Sequence, residues 1–137
     1  MKNSMEATFP AISANEGLAR MVVSAFVLGL APDVDTLADI KTAVSEAVTN
    51  AVIHGYEGKQ GDIYLRLRSE DRKVYIEIED KGRGIEDIKK AMEPMFTTKP
   101  AEERSGLGFT VMESFMDKVE VESERDKGTI VRLVKEV

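Results

Sequence analysis

The stretch "GDIYLRLRSEDRKVYIEIED", residues 61–80, decides the architecture. Ile63, Leu65 and Leu67 alternate with Tyr64, Arg66 and Arg68, and Val74, Ile76 and Ile78 alternate with Tyr75, Glu77 and Glu79. A period of two places each apolar set on one face of a pleated strand. The spacing predicts two half-buried strands joined by a turn near Glu70–Asp71. The outward residues are arginines on one strand and glutamates on the next, a pattern that suits cross-strand pairing.

Working outward, "VEVESERDKGTIVRLVKEV" (119–137) reads as a second hairpin turning at Asp126-Lys127-Gly128. A short strand is expected around Ala7–Ile12, and Pro10 confines it to a sheet edge. "SANE" (13–16) has the spacing of a capping box, with Ser13 and Glu16 reciprocally bonded and a helix following to about Gly29. After "PDVD" (32–35) a second helix is predicted from about Thr36 to His54, ended by Gly55 as its C′ residue, with Leu37, Ile40, Val44, Ala47, Val48 and Ala51 in one apolar stripe. A short helix is expected at Ile85–Glu93, stopped by Pro94, then a long aperiodic loop over 94–105, then a helix opened by "GLGF". This order describes one α/β (α+β) domain over 1–137. It is a two-layer sandwich, with a mixed, mostly antiparallel sheet and helices on one face.

Composition narrows the chemistry. The 137 residues contain no cysteine and one histidine, His54, so disulfides, thiolate zinc and thiol nucleophiles are excluded. Nineteen basic against 25 acidic residues give a net charge of −6, and no basic face for nucleic acid is visible. "MVVSAFVLGLA" (21–31) is shorter than the ~20 residues a membrane span needs, so it reads as a buried helix. The protein is expected to be soluble and cytoplasmic.

Four local patterns carry candidate chemistry. Asp80-Lys-Gly82-Arg-Gly84 follows a strand. It reads either as a tight turn or as a site where backbone approaches a flat ligand while the carboxylate accepts from an exocyclic amine. "SGLGF" (105–109) either enters a helix or leaves amides free for an anion. It is neither a Walker A loop nor a Rossmann fingerprint, because no G-x-x-x-x-G-K-[ST] occurs and Val111 stands where a third glycine belongs. Glu46 and Asn50 share a helix face one turn apart. That face is either merely solvated or presents a carboxylate able to take a hydroxyl proton beside an amide oxygen suited to Mg²⁺. His54, one turn further, either lines the same cleft or caps the helix end. Thr129 is either an ordinary strand residue or a pocket hydroxyl.

In this order and spacing the patterns resemble the GHKL (Bergerat-fold) ATP-binding superfamily, over residue 36 to the end. "SEAVTNAVIHGY" (45–56) and "PMFTTKPAEERSGLGF" (94–109) are most similar to a branch of serine-protein kinases that hold a sporulation sigma factor inactive in endospore-forming bacteria. The resemblance implies ATP and Mg²⁺ as cofactors, with Glu46 as general base, Asn50 on the metal, and Asp80 reading the adenine amino group with Thr129 nearby. It places further nucleotide contacts at His54, Gly82, Gly84, Ile85, Thr97, Thr98, Ser105, Gly106, Leu107, Gly108 and Phe109, with 94–105 as a lid. It implies a sigma factor and an anti-anti-sigma protein, phosphorylated on serine, as partners, and a homodimer with the first strand or helix at its interface. Glu16 and Arg20, on the polar face of the first helix, are either simply solvated or a docking surface for a protein partner. The competing expectations are a nucleotide-gated binding module without chemistry and a histidine-kinase-type domain. The latter needs a phosphoacceptor histidine on a separate helical hairpin.

Overall fold

A computed structural model describes residues 2–92 and 108–137. The elements run β1 (Lys2–Pro10), α1 (Asn15–Leu28), α2 (Val34–Asn50), a π-helical turn (Ala51–Gly55), β2 (Asp62–Glu70), β3 (Lys73–Asp80), α3 (Ile88–Ala91), α4 (Gly108–Phe115), β4 (Lys118–Glu124) and β5 (Gly128–Glu136). The five strands lie in the order β1-β2-β3-β5-β4, and every pairing is antiparallel. The sheet is thus antiparallel throughout, within the expected two-layer sandwich.

The alternation is realised as the sequence requires. Ile63, Leu65, Leu67, Val74, Ile76, Ile78, Val131 and Leu133 are buried on one face, against Val23 and Val27 of α1, Ile40, Val44 and Val48 of α2, and Met112 of α4. The opposite face is a lattice of charge. Arg66 pairs with Glu79, and Arg132 bridges Glu77 and Glu122 at 3.7 and 2.8 Å. The Arg68 guanidinium lies 3.9 Å from the centroid of the Tyr75 ring. Such partly exposed pairs each contribute only about 0.2–1 kcal/mol. Their consequence is that this face favours water, and among the described residues the core-forming helices pack on the other face.

Several local expectations are corrected. The first strand spans Lys2–Pro10 rather than 7–12; it is indeed an edge strand, with Pro10 at its last position opposite Asp62. The capping box does not form. The amides of Asn15 and Glu16 donate to the carbonyls of Ile12 and Ser13, so the backbone of the turn has already satisfied them. Ala14 occupies the cap without a side-chain bond, and the Glu16 carboxylate pairs with Arg20 at 3.2 Å.

The second helix begins at Val34, two residues early, because Asp33 caps it by accepting from the Thr36 amide at 2.7 Å. Hydrogen bonds from Thr36 hold the Asp33 carboxyl below its ordinary value. The α-helix ends at Asn50, and the segment through His54 to Gly55 is a π-helical turn closed by the Tyr56 amide on the Ala51 carbonyl at 3.0 Å. The helix expected at 85–93 shrinks to Ile88–Ala91, capped by Asp87, which accepts from the Lys90 amide at 3.1 Å. Pro94 and the expected lid, 94–105, lie outside the described residues.

Candidate functional site

Asp80 is the last residue of β3, and the alternation turns its side chain to the helix-covered face, in line with Ile76 and Ile78. It is 5% exposed. Burial pushes its carboxyl up to about 6; the Gly82 amide, 2.9 Å from Oδ1, opposes the rise, the Glu79 charge adds to it, and the Thr129 backbone opposes it. A buried carboxylate with spare lone pairs is a strong acceptor waiting for a donor.

Strand register supplies its neighbours. Asp80 pairs across β3–β5 with Thr129, and Thr129 pairs across β5–β4 with Ser123. These three polar side chains form a row across a mostly apolar sheet face. The Ser123 hydroxyl lies 2.8 Å from that of Thr129, donates to the Gly128 carbonyl at 2.9 Å, and accepts from the Ile85 amide at 2.7 Å. Ser123 was not singled out by sequence reasoning, since in "VEVESE" it is one more residue of an alternating strand and only the register places it beside Thr129.

The glycines answer to close packing. A Cβ on Gly55 would stand 2.7 Å from the Asp80 carboxylate, and one on Gly82 would stand 2.0 Å from the Gly55 carbonyl oxygen. Gly55 is therefore demanded by the carboxylate beside it rather than by a left-handed helix end. The Arg83 amide donates to the Gly55 carbonyl at 2.9 Å, and the Asp126 amide to the Arg83 carbonyl at 2.7 Å. Gly84 has φ +75° and lies against Glu124. Residues 81–84 are thus pinned between the π-turn and the β4–β5 turn. Tyr56 adds a clamp, its hydroxyl accepting from the Lys81 amide at 2.8 Å and donating to the Asp62 carbonyl at 2.5 Å.

Gly82→Ala is accordingly expected to destabilise the protein by about 1–3 kcal/mol. The clash is with backbone, so no side chain can swing away. Urea unfolding of the variant should show a lowered midpoint with an unchanged slope.

A cavity of about 440 Å³ opens beside this row. That lies within the range of small-molecule pockets. Its walls are apolar at Ala47, Ala51, Ile78, Ile85 and Val131, with the paired Asp80 and Thr129 and with Gly108 and Phe109 of α4 also lining it. Gly108 and Phe109 are the first described residues of α4, and backbone amides at a helix N-terminus favour an anion. Asn50 and His54 also line the cavity, His54 from the last turn of the π-helix.

Of the sequence-predicted nucleotide residues, the cavity thus brings together Asn50, His54, Asp80, Gly84, Ile85, Gly108, Phe109 and Thr129. Gly82 packs behind it on Gly55, and Glu46, half-buried one turn before Asn50, is not among the described lining residues. Thr97, Thr98, Ser105, Gly106 and Leu107 lie outside the described residues. Arg83 and Lys90 line the cavity without having been anticipated. Ala47 and Ala51 were read only as core, yet their small side chains also leave the slot open.

A cavity with apolar walls, a buried carboxylate and the first described residues of α4 in its lining, on an antiparallel sheet covered by helices, fits an ATP-binding domain of the GHKL kind. The histidine kinase-like ATPase domain family matches residues 9–135. The anti-sigma F factor of Thermoanaerobacter sp. (strain X514) is 56% identical over 97% of this chain and 93% of that protein. The anti-sigma F factor of Bacillus subtilis (strain 168) is 52% identical over 98% of this chain and 93% of that protein. The chain belongs to the histidine kinase-like ATPase family and, within it, to the anti-sigma F factors. Among solved structures, the catalytic domain of the histidine kinase ThkA superposes with a TM-score of 0.60 at 17% identity, covering 96% of this chain and 95% of that one, which shows a shared fold. Among the described residues no helix is long and apolar enough to cross a membrane.

Proposed function

We propose that this protein holds a sporulation sigma factor inactive and, as a serine-protein kinase, phosphorylates a serine of an anti-anti-sigma protein. The observation that carries the nucleotide half of this reading is Asp80, an acceptor buried at the end of an apolar slot. The names of the anti-sigma F factors support the partner half.

In this reading Asp80 accepts from the adenine amino group, with the Thr129 hydroxyl beside it. Ala47, Ala51, Ile78 and Val131 sandwich the ring and exclude water. The backbone amides at Gly108 and Phe109, the first described residues of α4, take phosphate oxygens. When bound, MgATP would supply the phosphoryl group, with the metal offsetting charge on the phosphates. Among the described residues no group of three or more His, Cys, Asp or Glu could hold a metal; in this reading Asn50, in the cavity lining, would offer its amide oxygen to Mg²⁺ and the nucleotide would supply further oxygens. Glu46 takes the proton of the incoming serine hydroxyl.

A second reading has a specific observation behind it. Glu46 is not among the described residues lining the cavity. A nucleotide-gated binding module, in which ATP only shapes the partner surface, needs no base there. Incubation of the protein with γ-labelled ATP and the candidate partners separates the two: label on a partner serine is expected, and stoichiometric partner binding without label would establish the module instead.

The partner surface we assign to α1. Its Glu16–Arg20 ion pair lies beside exposed Leu18 and Met21, the latter 71% exposed. Neither charged residue lines the nucleotide cavity. The same helix and the β1 edge are the surfaces proposed for a homodimer. Arg20→Glu places like charges one helical turn apart and reverses the sign presented to a partner. It is expected to leave ATP affinity unchanged while weakening partner capture at least tenfold in a pull-down titration; equal capture would remove α1 from the interface.

A further inference from the structure

The polar row across the sheet contains a fixed direction of hydrogen bonding. The Gly128 carbonyl has no proton, so in its 2.9 Å contact Ser123 is the donor. That uses the single hydrogen of the Ser123 hydroxyl. The Ile85 amide donates into the same oxygen at 2.7 Å. In the 2.8 Å contact between the two hydroxyls, Thr129 must therefore give its hydrogen to Ser123. Ser123 then makes one donation and two acceptances, its full capacity. Thr129, 7% exposed and lining the cavity, is left with lone pairs alone to present there.

We propose that Ser123 is a positioning residue for nucleotide choice: by taking the Thr129 hydrogen it makes the base end of the cavity acceptor-only, matched to a purine with a 6-amino donor and opposed to one with a 6-oxo group. Asp80 supplies one acceptor there and the locked Thr129 hydroxyl supplies another. A 6-oxo purine brings an acceptor against both and leaves them unpaired, the kind of mismatch that discriminates strongly. A Thr129 hydroxyl free to rotate would instead turn its hydrogen toward the oxo group. This inference rests on the reading of the cavity as an ATP site.

The test is calorimetric titration of the full chain with MgATP and with the inosine analogue MgITP, which carries a carbonyl oxygen at position 6. Ser123→Ala frees the Thr129 hydrogen and is expected to narrow the ATP-over-ITP preference by about three- to tenfold, the worth of one hydrogen bond. Ser123→Thr, which restores the hydroxyl, is expected to restore the preference. Thr129→Val is expected to narrow it as well, and adding Ser123→Ala to Thr129→Val is expected to change it no further. If Ser123→Ala weakens both nucleotides by one common factor, Ser123 merely braces the Ile85 amide and the inference is overturned. If that variant does not fold, an unchanged preference in Thr129→Val overturns it equally. A wild-type chain that binds ITP but shows no heat with ATP, or binds neither, overturns the ATP reading and this inference with it.

Discussion

Asp80→Asn is expected to abolish measurable ATP binding while making the nucleotide-free protein more stable at neutral pH. The first effect follows from polarity. An asparagine can turn its oxygen to the Gly82 amide, 2.9 Å away in the native protein, but its NH₂ group then faces the adenine amino group, donor against donor. Loss of a charged hydrogen bond worth about 1.5–3 kcal/mol, with a buried donor left unpaired, weakens binding by roughly two orders of magnitude or more. Isothermal titration decides it, and an unchanged affinity would refute the adenine role.

The second effect follows from linkage. The Asp80 carboxyl is raised from 3.8 to about 6 in the folded state, chiefly by burial. Between these values the folded chain holds a proton that the unfolded chain has released, so the stability contribution of this group falls as pH rises through the window. Above pH 6 the deficit is on the order of 3 kcal/mol, and below about pH 4 it vanishes. Asp80→Asn lacks this term. Its unfolding free energy should therefore exceed that of the native chain above pH 6, and the gap should close as pH falls toward 4. Ligand affinity should show the opposite sense: the native protein needs the ionised acceptor, so affinity falls about tenfold per unit below pH 6. Adenosine, which carries no titrating phosphate, is the appropriate probe. On the proposed adenine role, function is held at the expense of stability, as is common where a site requires a buried charge.

Glu46→Ala is expected to separate binding from chemistry. Glu46 lies outside the described cavity lining, so its removal should leave ATP affinity within about twofold. General-base catalysis is typically worth 10²–10⁴-fold, and loss of phosphotransfer to the partner serine in that range is the expected result. A single-turnover assay with γ-labelled ATP and circular dichroism as a folding control provides the measurement. Persistent labelling at the native rate would remove Glu46 as base. No labelling by the native protein itself, with partner binding intact, would establish the binding-module reading.

The antiparallel hairpin of β2 and β3 and the burial of Ile63–Leu67 and Val74–Ile78 follow from residues 61–80 alone, and the turn expected near Glu70–Asp71 falls one residue on, at Asp71–Arg72, with Glu70 still paired to Lys73. Asp71, with φ +56°, takes the left-handed turn conformation that aspartate tolerates. The stripe from Ile40 to Ala51 likewise identifies the helix face that covers the sheet. Asp80 and Thr129 are legible as candidates because each stands at a strand end, Asp80 two residues before Gly82 and Thr129 directly after Gly128. The failed capping box was misread for a physical reason: Ser13 and Glu16 have the required spacing, but the turn out of β1 supplies backbone carbonyls first.

By itself, then, the amino-acid sequence determined what depends on near neighbours along the chain: strand alternation, helix stripe, turn positions and the residue types available for chemistry. The tertiary structure alone decided what depends on contacts between distant segments. Gly55 is small because Asp80, 25 positions later, lies against it; Gly82 is small because Gly55 does; and Ser123 matters because register sets it beside Thr129 and under the Ile85 amide. Periodicity is a local property of the backbone, whereas a pocket is assembled by sheet register and helix docking, and these are specified by the packing of the whole chain.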